Sequence, residues 1–156
     1  MRNNVKLEFD AVPENESFAR IVVSGFMAMV NPTLAELNEV KTAVSEAVTN
    51  AIIHGYAGMT SKNDKKIGMR LLFDGDEMSV VIRDYGIGIL DIDEARTPLF
   101  TTKPDEERSG MGFTVMESFM DDVRVSSVEG MGTEVAMKKK LTLTQDEAYK
   151  ISIETI

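Results

Sequence analysis

Cysteine is missing from this chain, and histidine occurs once, at His54. Without cysteine there are no disulfides, thiolate zinc sites or cysteine nucleophiles, which suits a reducing compartment. One histidine excludes multi-histidine metal sites and any relay that needs two. No apolar run approaches the ~18 residues of a membrane span, and the opening MRNNVKLEFD lacks the apolar core of a signal peptide. Cations are scarce as well: 17 Lys and Arg stand against 26 Asp and Glu, for a net charge of −9 and a pI near 4.7. Such a field repels nucleic acid and anionic membranes. It would also repel ATP, unless a cation or local positive potential intervened. The expectation is a soluble, cytoplasmic protein with no direct contact to nucleic acid or membrane.

What is present suits a single domain. A chain of 156 residues buries roughly 68–70% of its unfolded surface on folding, and 43% hydrophobic with 28% charged residues is a globular balance. Val5, Leu7 and Phe9 alternate with Lys6, Glu8 and Asp10, which predicts a half-buried strand. From Phe18 the period changes. Phe18, Ile21, Val22, Gly25, Phe26 and Met29 follow helical spacing and read as its inward stripe. Asn31-Pro32 reads as an N-cap with proline at the first helical position of a second helix. That helix turns Leu37, Val40, Val44, Ala47 and Ala51 inward and ends at Gly55.

Residues 57–66 are polar and turn-rich, so a loop is expected. IGMRLLF and MSVVIRD read as strands joined by a tight turn over Asp74-Gly75-Asp76-Glu77. After DYGIGI comes a stretch of little periodicity, then a short helix over 113–120 and strands near 122–128 and 132–140. The sum is α+β: a two-layer sandwich with helices on one face of a mixed, mainly antiparallel sheet. The domain spans residues 1–142, and the tail 143–156 receives no role. Of the eleven methionines, most are expected to fill irregular core gaps.

Four features could carry chemistry. At 100° per residue, Ser45, Glu46, Thr49 and Asn50 share an arc of roughly 140° on an otherwise apolar helix. A polar wedge there suits a cleft, because buried polar groups without partners are costly. Glu46 and Asn50, four apart, could supply a general base and a hard-cation ligand; an ordinary exposed stripe is the competing reading. Asp84-Tyr85-Gly86-Ile87-Gly88 follows a strand, where glycines permit close backbone approach and an aspartate can accept from an amine. Ser109-Gly110-Met111-Gly112 opens a helix whose amides could bind anions, with Arg108 beside it. Gly130-Met131-Gly132-Thr133 is equally good as a turn.

Their order is more specific than any one of them. EAVTNAIIHG, DYGIG, SGMGF and GMGT resemble the N, G1, G2 and G3 boxes of the GHKL ATPase superfamily, over nearly the whole chain. Within it, PLFTTKPDEERSGMGFTVMESFMDDV and the short N-terminal strand and helix resemble the anti-sigma-factor serine kinases of sporulating bacilli. The resemblance implies that Glu46 is the general base toward the attacking hydroxyl and that Asn50 holds Mg²⁺ against the phosphates. It implies that Asp84 accepts the adenine amino group, with Thr133 nearby, and that Gly86 and Gly88 let backbone wrap the base. Residues 95–111, including Thr101, Thr102 and Lys103, would form a lid. Gly110 and Gly112 would offer amides to the phosphates of ATP or ADP, with Ser109 and Met111 in the same turn. Arg108 would stabilise charge on the transferred group.

The resemblance further implies a homodimer that sequesters a sigma factor of the sigma-F type and phosphorylates a serine of a small anti-anti-sigma protein. Arg20, beside the first helix's apolar stripe, is a candidate partner anchor; a solvated arginine covering apolar surface is its bland alternative. His54, one turn beyond Asn50, reads as a packing or capping residue rather than a phospho-acceptor. Two alternatives accompany this reading. One is a switch kinase of the same fold with another partner, and the other is a nucleotide-gated binding module without turnover.

Overall fold

The alternation at the N-terminus does make a strand, β1 (Arg2–Asp10), whose inward residues end on buried Phe9. The computed structural model describes residues 1–59, 64–97 and 112–143.

The first helix, α1 (Glu14–Ala28), forms as expected but is rotated relative to the expected stripe. Ala19, Val23, Phe26 and Met27 are buried, whereas Phe18, Ile21 and Met29 are 45%, 68% and 47% exposed. Both sets have helical spacing, so periodicity alone could not choose between them. Packing chooses: Ala19 and Val23 are small enough to let α1 lie close to its neighbours. Phe18 meets only the edge of Phe9, in a T-shaped contact at 6.2 Å. Phe26 stacks on Phe73 at 4.4 Å in the core.

Asn31 does not cap the next helix. It adopts a left-handed φ of 48°, a conformation asparagine tolerates better than most. Its amide bonds back to Ala28, so it closes α1. The cap of α2 (Leu34–Asn50) is Thr33, whose hydroxyl accepts from the Glu36 amide while the Glu36 carboxylate accepts from the Thr33 amide. Thr-x-x-Glu is a capping box, and two satisfied amides outcompete the Asn-Pro signal. Val40, Val44 and Ala47 face inward as expected. Beyond Asn50 the helix continues as a π-helical turn, Ala51–Gly55, so the expected end at Gly55 is right.

The strands β2 (Lys66–Asp74), β3 (Glu77–Asp84), β4 (Asp122–Val128) and β5 (Gly132–Lys140) lie where the alternation puts them. The sheet order is β1-β2-β3-β5-β4. Every neighbouring pair is antiparallel, so the expected parallel component is absent among the described residues. The reason is topological. β3 and β4 run the same way, but the connection between them skips one position, and β5 returns into the gap as a hairpin. Two helices precede that gap's far side: α3 (Ile92–Ala95), which periodicity missed, and α4 (Gly112–Phe119), which it found.

α1, α2 and α4 cover one face of the sheet. Met27, Met69, Met78, Met116, Met120 and Met137 are buried there, as gap-fillers should be. The domain closes beyond β5. Leu141 is buried, and the Thr142 amide donates to Glu36 at 2.6 Å, tying the chain's return to the start of α2.

Candidate functional site

The polar wedge of α2 divides between two neighbours. Ser45 leaves it, its hydroxyl donating to Glu16 of α1 at 2.5 Å. Glu46 and Asn50, both half-buried, meet the first residue of α4. A Cβ on Gly112 would lie 3.1 and 3.2 Å from the Asn50 amide atoms and 3.3 Å from Glu46 Oε2. Glycine at that position is therefore what lets α4 begin against the two side chains.

Across the sheet, the ends of three strands supply a polar row. Asp84 ends β3, Thr133 lies at the start of β5, and Ser127 on β4 is paired with Thr133. Asp84 and Thr133 are buried. Burial pushes the Asp84 carboxyl above the usual aspartate range, and the amides of Gly86 and Thr133, with Arg83, offset this only in part. Between this row and α2 lies a cavity of about 590 Å³, lined by Asn50, His54, Asp84, Gly88, Gly112 and Thr133 together with Ile82, Leu90 and Phe113. Its size and mostly apolar walls suit a small organic ligand.

The glycines serve this cavity indirectly. A Cβ on Gly86 would lie 1.6 Å from the Gly55 carbonyl oxygen, and one on Gly132 would lie 2.1 Å from the Asp84 carbonyl oxygen. Gly86 is not among the cavity's lining residues; Gly88 is, at a left-handed φ of 79°. Gly86 thus gives room to the Gly55 backbone. The same loops are hydrogen-bonded together: the Ile87 amide donates to Gly55 and the Gly130 amide to Ile87, both at 2.8 Å.

Three residues of this scaffold escape sequence reasoning. Gly55 passes for a helix stop, yet its φ is negative and its use is proximity, since a Cβ there would stand 2.8 Å from Asp84 Cγ. Tyr56, buried, donates its hydroxyl to the Lys66 carbonyl and accepts from the Tyr85 amide at 3.0 Å. Ser127 accepts from the Ile89 amide at 2.7 Å. His54 is half-buried and lines the cavity. Arg20 stands on the exposed side of α1, paired with Glu16 at 2.8 Å. Thr101, Thr102, Lys103, Arg108, Ser109, Gly110 and Met111 lie outside the described residues.

A helix bearing a carboxylate and an amide, facing a buried aspartate across a glycine-framed cavity, is the layout of a class. Residues 9–139 match the family model described as histidine kinase-like ATPase domain. Curated relatives named anti-sigma F factor are similar throughout. That of Bacillus velezensis is 54% identical over 142 residues, covering 91% of this chain and 95% of the relative. That of Bacillus thuringiensis is 53% identical with the same coverage. The chain belongs to the histidine kinase-like ATPases and, among them, to the anti-sigma F factor family.

Solved structures agree on the fold. The RsbU and RsbW domains of Rv1364c from Mycobacterium tuberculosis match with a TM-score of 0.64 at 19% identity, over 89% of this chain and 32% of that one. The catalytic domain of the histidine kinase ThkA matches with a TM-score of 0.54 at 16% identity, over 87% and 95%. Among the described residues, no helix is long and apolar enough to cross a membrane.

Proposed function

We propose that this chain is an ATP-dependent protein serine kinase that also holds a sigma factor of the sigma-F type inactive. The observation that carries the kinase reading is that Asn50 and Gly112 line a cavity that also reaches Asp84 and Thr133, while Glu46 stands behind them against Gly112 and is not itself among the lining residues. Asp84 would accept from the adenine amino group, and the apolar walls would take the ring faces. The triphosphate would then extend toward Asn50. Asn50 offers a hard amide oxygen with the Glu46 carboxylate beside it, a donor set that fits Mg²⁺, which commonly takes one or two protein oxygens plus phosphates. Bound there, the ion would neutralise phosphate charge in this acidic protein.

In the transfer, the serine oxygen of an anti-anti-sigma protein forms a bond to the γ-phosphorus as the bond to the β–γ bridging oxygen breaks. The serine proton passes to Glu46 and ADP departs. Positioning and electrostatics supply most of the catalysis in such reactions. The roles implied for the lid, Lys103 and Arg108, and for the amides of Gly110 and Gly112, belong to this same proposal.

The partner reading rests on α1. Phe18 and Ile21 are exposed on α1, as Met29 is just beyond it, and exposed bulky apolar groups are a feature of interaction faces. A second copy of the chain and the sigma factor are its proposed occupants, with Arg20 as an anchor. Arg20→Ala that binds both partners as tightly as the unaltered protein would remove that anchor.

The kinase test is transfer of labelled γ-phosphate from Mg-ATP to a candidate anti-anti-sigma protein. Acid-stable label on serine is expected, absent with Glu46→Gln. ATP binding without any label would leave a nucleotide-gated sigma-binding module.

A further inference from the structure

The proposed transfer makes no use of Ser127, yet its hydroxyl, next to the cavity-lining Thr133, meets three polar atoms. The Ile89 amide donates to Ser127 Oγ at 2.7 Å, the Gly132 carbonyl oxygen lies 3.1 Å from it, and Thr133 Oγ1 lies 3.0 Å from it. Two hydroxyl protons serve this cluster. One arrangement satisfies every group in it. Ser127 gives its proton to the Gly132 carbonyl, and Thr133 gives its own to Ser127 Oγ, which then accepts two hydrogen bonds and donates one. The reverse arrangement removes this donor from the Gly132 carbonyl. In the satisfied arrangement, Thr133 turns only lone pairs to the cavity. Asp84, also lining it, is an acceptor alone when ionised.

We infer that Ser127 is a positioning residue for base selectivity: by taking the Thr133 proton it leaves Thr133 as an acceptor beside Asp84, which suits the 6-amino group of adenine and opposes the 6-oxo oxygen of a 6-oxo purine. This rests on the proposed reading that the cavity holds the base of ATP. A site whose polar groups meet like groups on the wrong ligand discriminates more sharply than one that differs only in fit.

The test compares dissociation constants of ATP and inosine triphosphate for the full chain at fixed pH and Mg²⁺. The unaltered protein is expected to prefer ATP. Ser127→Ala frees the Thr133 hydroxyl to rotate and donate to the 6-oxo group, so the preference should narrow about tenfold, chiefly through tighter inosine triphosphate. A merely structural role would weaken both nucleotides together and leave the ratio unchanged; that result overturns the assignment. Ser127→Thr keeps the hydroxyl and should keep the ratio. If Ser127→Ala does not fold, Thr133→Val removes the acceptor itself and should narrow the preference too, and an unaltered ratio there overturns the proposal. An unaltered protein that binds both nucleotides equally overturns the adenine reading beneath it.

Discussion

The two ends of the cavity are built by different means. At the end proposed for adenine, three segments interlock around glycines: Gly55 against the Asp84 side chain, Gly86 against the Gly55 backbone, Gly88 against the Val128 backbone, and Gly132 against the Asp84 backbone. At the end proposed for the phosphates, two side chains of one helix, Glu46 and Asn50, meet one glycine of another. The first end is part of the fold. The second is mounted on it. Substitutions should therefore divide by end, with the adenine end trading stability and the phosphate end trading turnover.

The largest effect expected is at the phosphate end. Glu46→Gln keeps shape and removes the proposed base, so phosphoryl transfer should fall about 10²–10⁴-fold, a usual range for losing a general base. Its melting temperature and ATP affinity should stay close to those of the unaltered protein. A large loss of stability would show that Glu46 belongs to the scaffold and erase the distinction between the ends.

Gly86→Ala is the counterpart at the adenine end. Its Cβ would fall 1.6 Å from a backbone oxygen, a clash no rotamer relieves. Overpacking of that kind costs about 3 kcal/mol or more. Urea unfolding should report it even without nucleotide, whereas Gly75→Ala, in a turn with open space around it, should lose only the small penalty of its left-handed φ of 65°. Equal losses at the two positions would mean that the interlock contributes nothing.

The same division explains what was legible in the sequence. The helix and strand elements, the hairpin turn at Gly75 and the pairing of Glu46 with Asn50 all follow from local periodicity and turn chemistry. The order of the four boxes pointed to the family, and Asn50, Asp84, Gly88, Gly112 and Thr133 from those boxes line one cavity. Three things did not follow. The rotation of α1 depends on which of two helical stripes is small enough to pack, and Ala19 with Val23 wins over Phe18 with Ile21. The all-antiparallel sheet depends on where β5 inserts, a long-range choice. Gly55, Tyr56 and Ser127 act on neighbours 29, 29 and 6 positions away, which no local pattern encodes.

Two buried carboxylates sharpen the comparison by pH. Asp84 has a folded-state pKa raised above its unfolded value, so its contribution to stability is full below the unfolded value and lost as pH rises through the folded one. Once ionised, it opposes folding. Asp84→Asn should thus bind ATP at least tenfold more weakly, yet unfold at equal or higher urea near pH 7, with the advantage gone in acid.

Glu36, at the far end of α2, has the opposite sign. Burial alone would raise its carboxyl, but the Thr142 and Thr33 amides, with the hydroxyls of both threonines, hold it below the usual glutamate range. Its contribution is present above the unfolded value, about 4.3 for a glutamate, and is lost as pH falls through the lower folded value. Glu36→Gln should then cost about 1 kcal/mol near pH 7, the scale of a lost helix cap, and nothing once both forms are neutral. ATP affinity should not move, because Glu36 is not among the cavity's lining residues. The pair of urea titrations therefore separates two buried acids by what surrounds them. Glu36 meets donors that outweigh its burial, whereas the donors around Asp84 offset its burial only in part. Parallel pH profiles for the two variants would contradict that assignment.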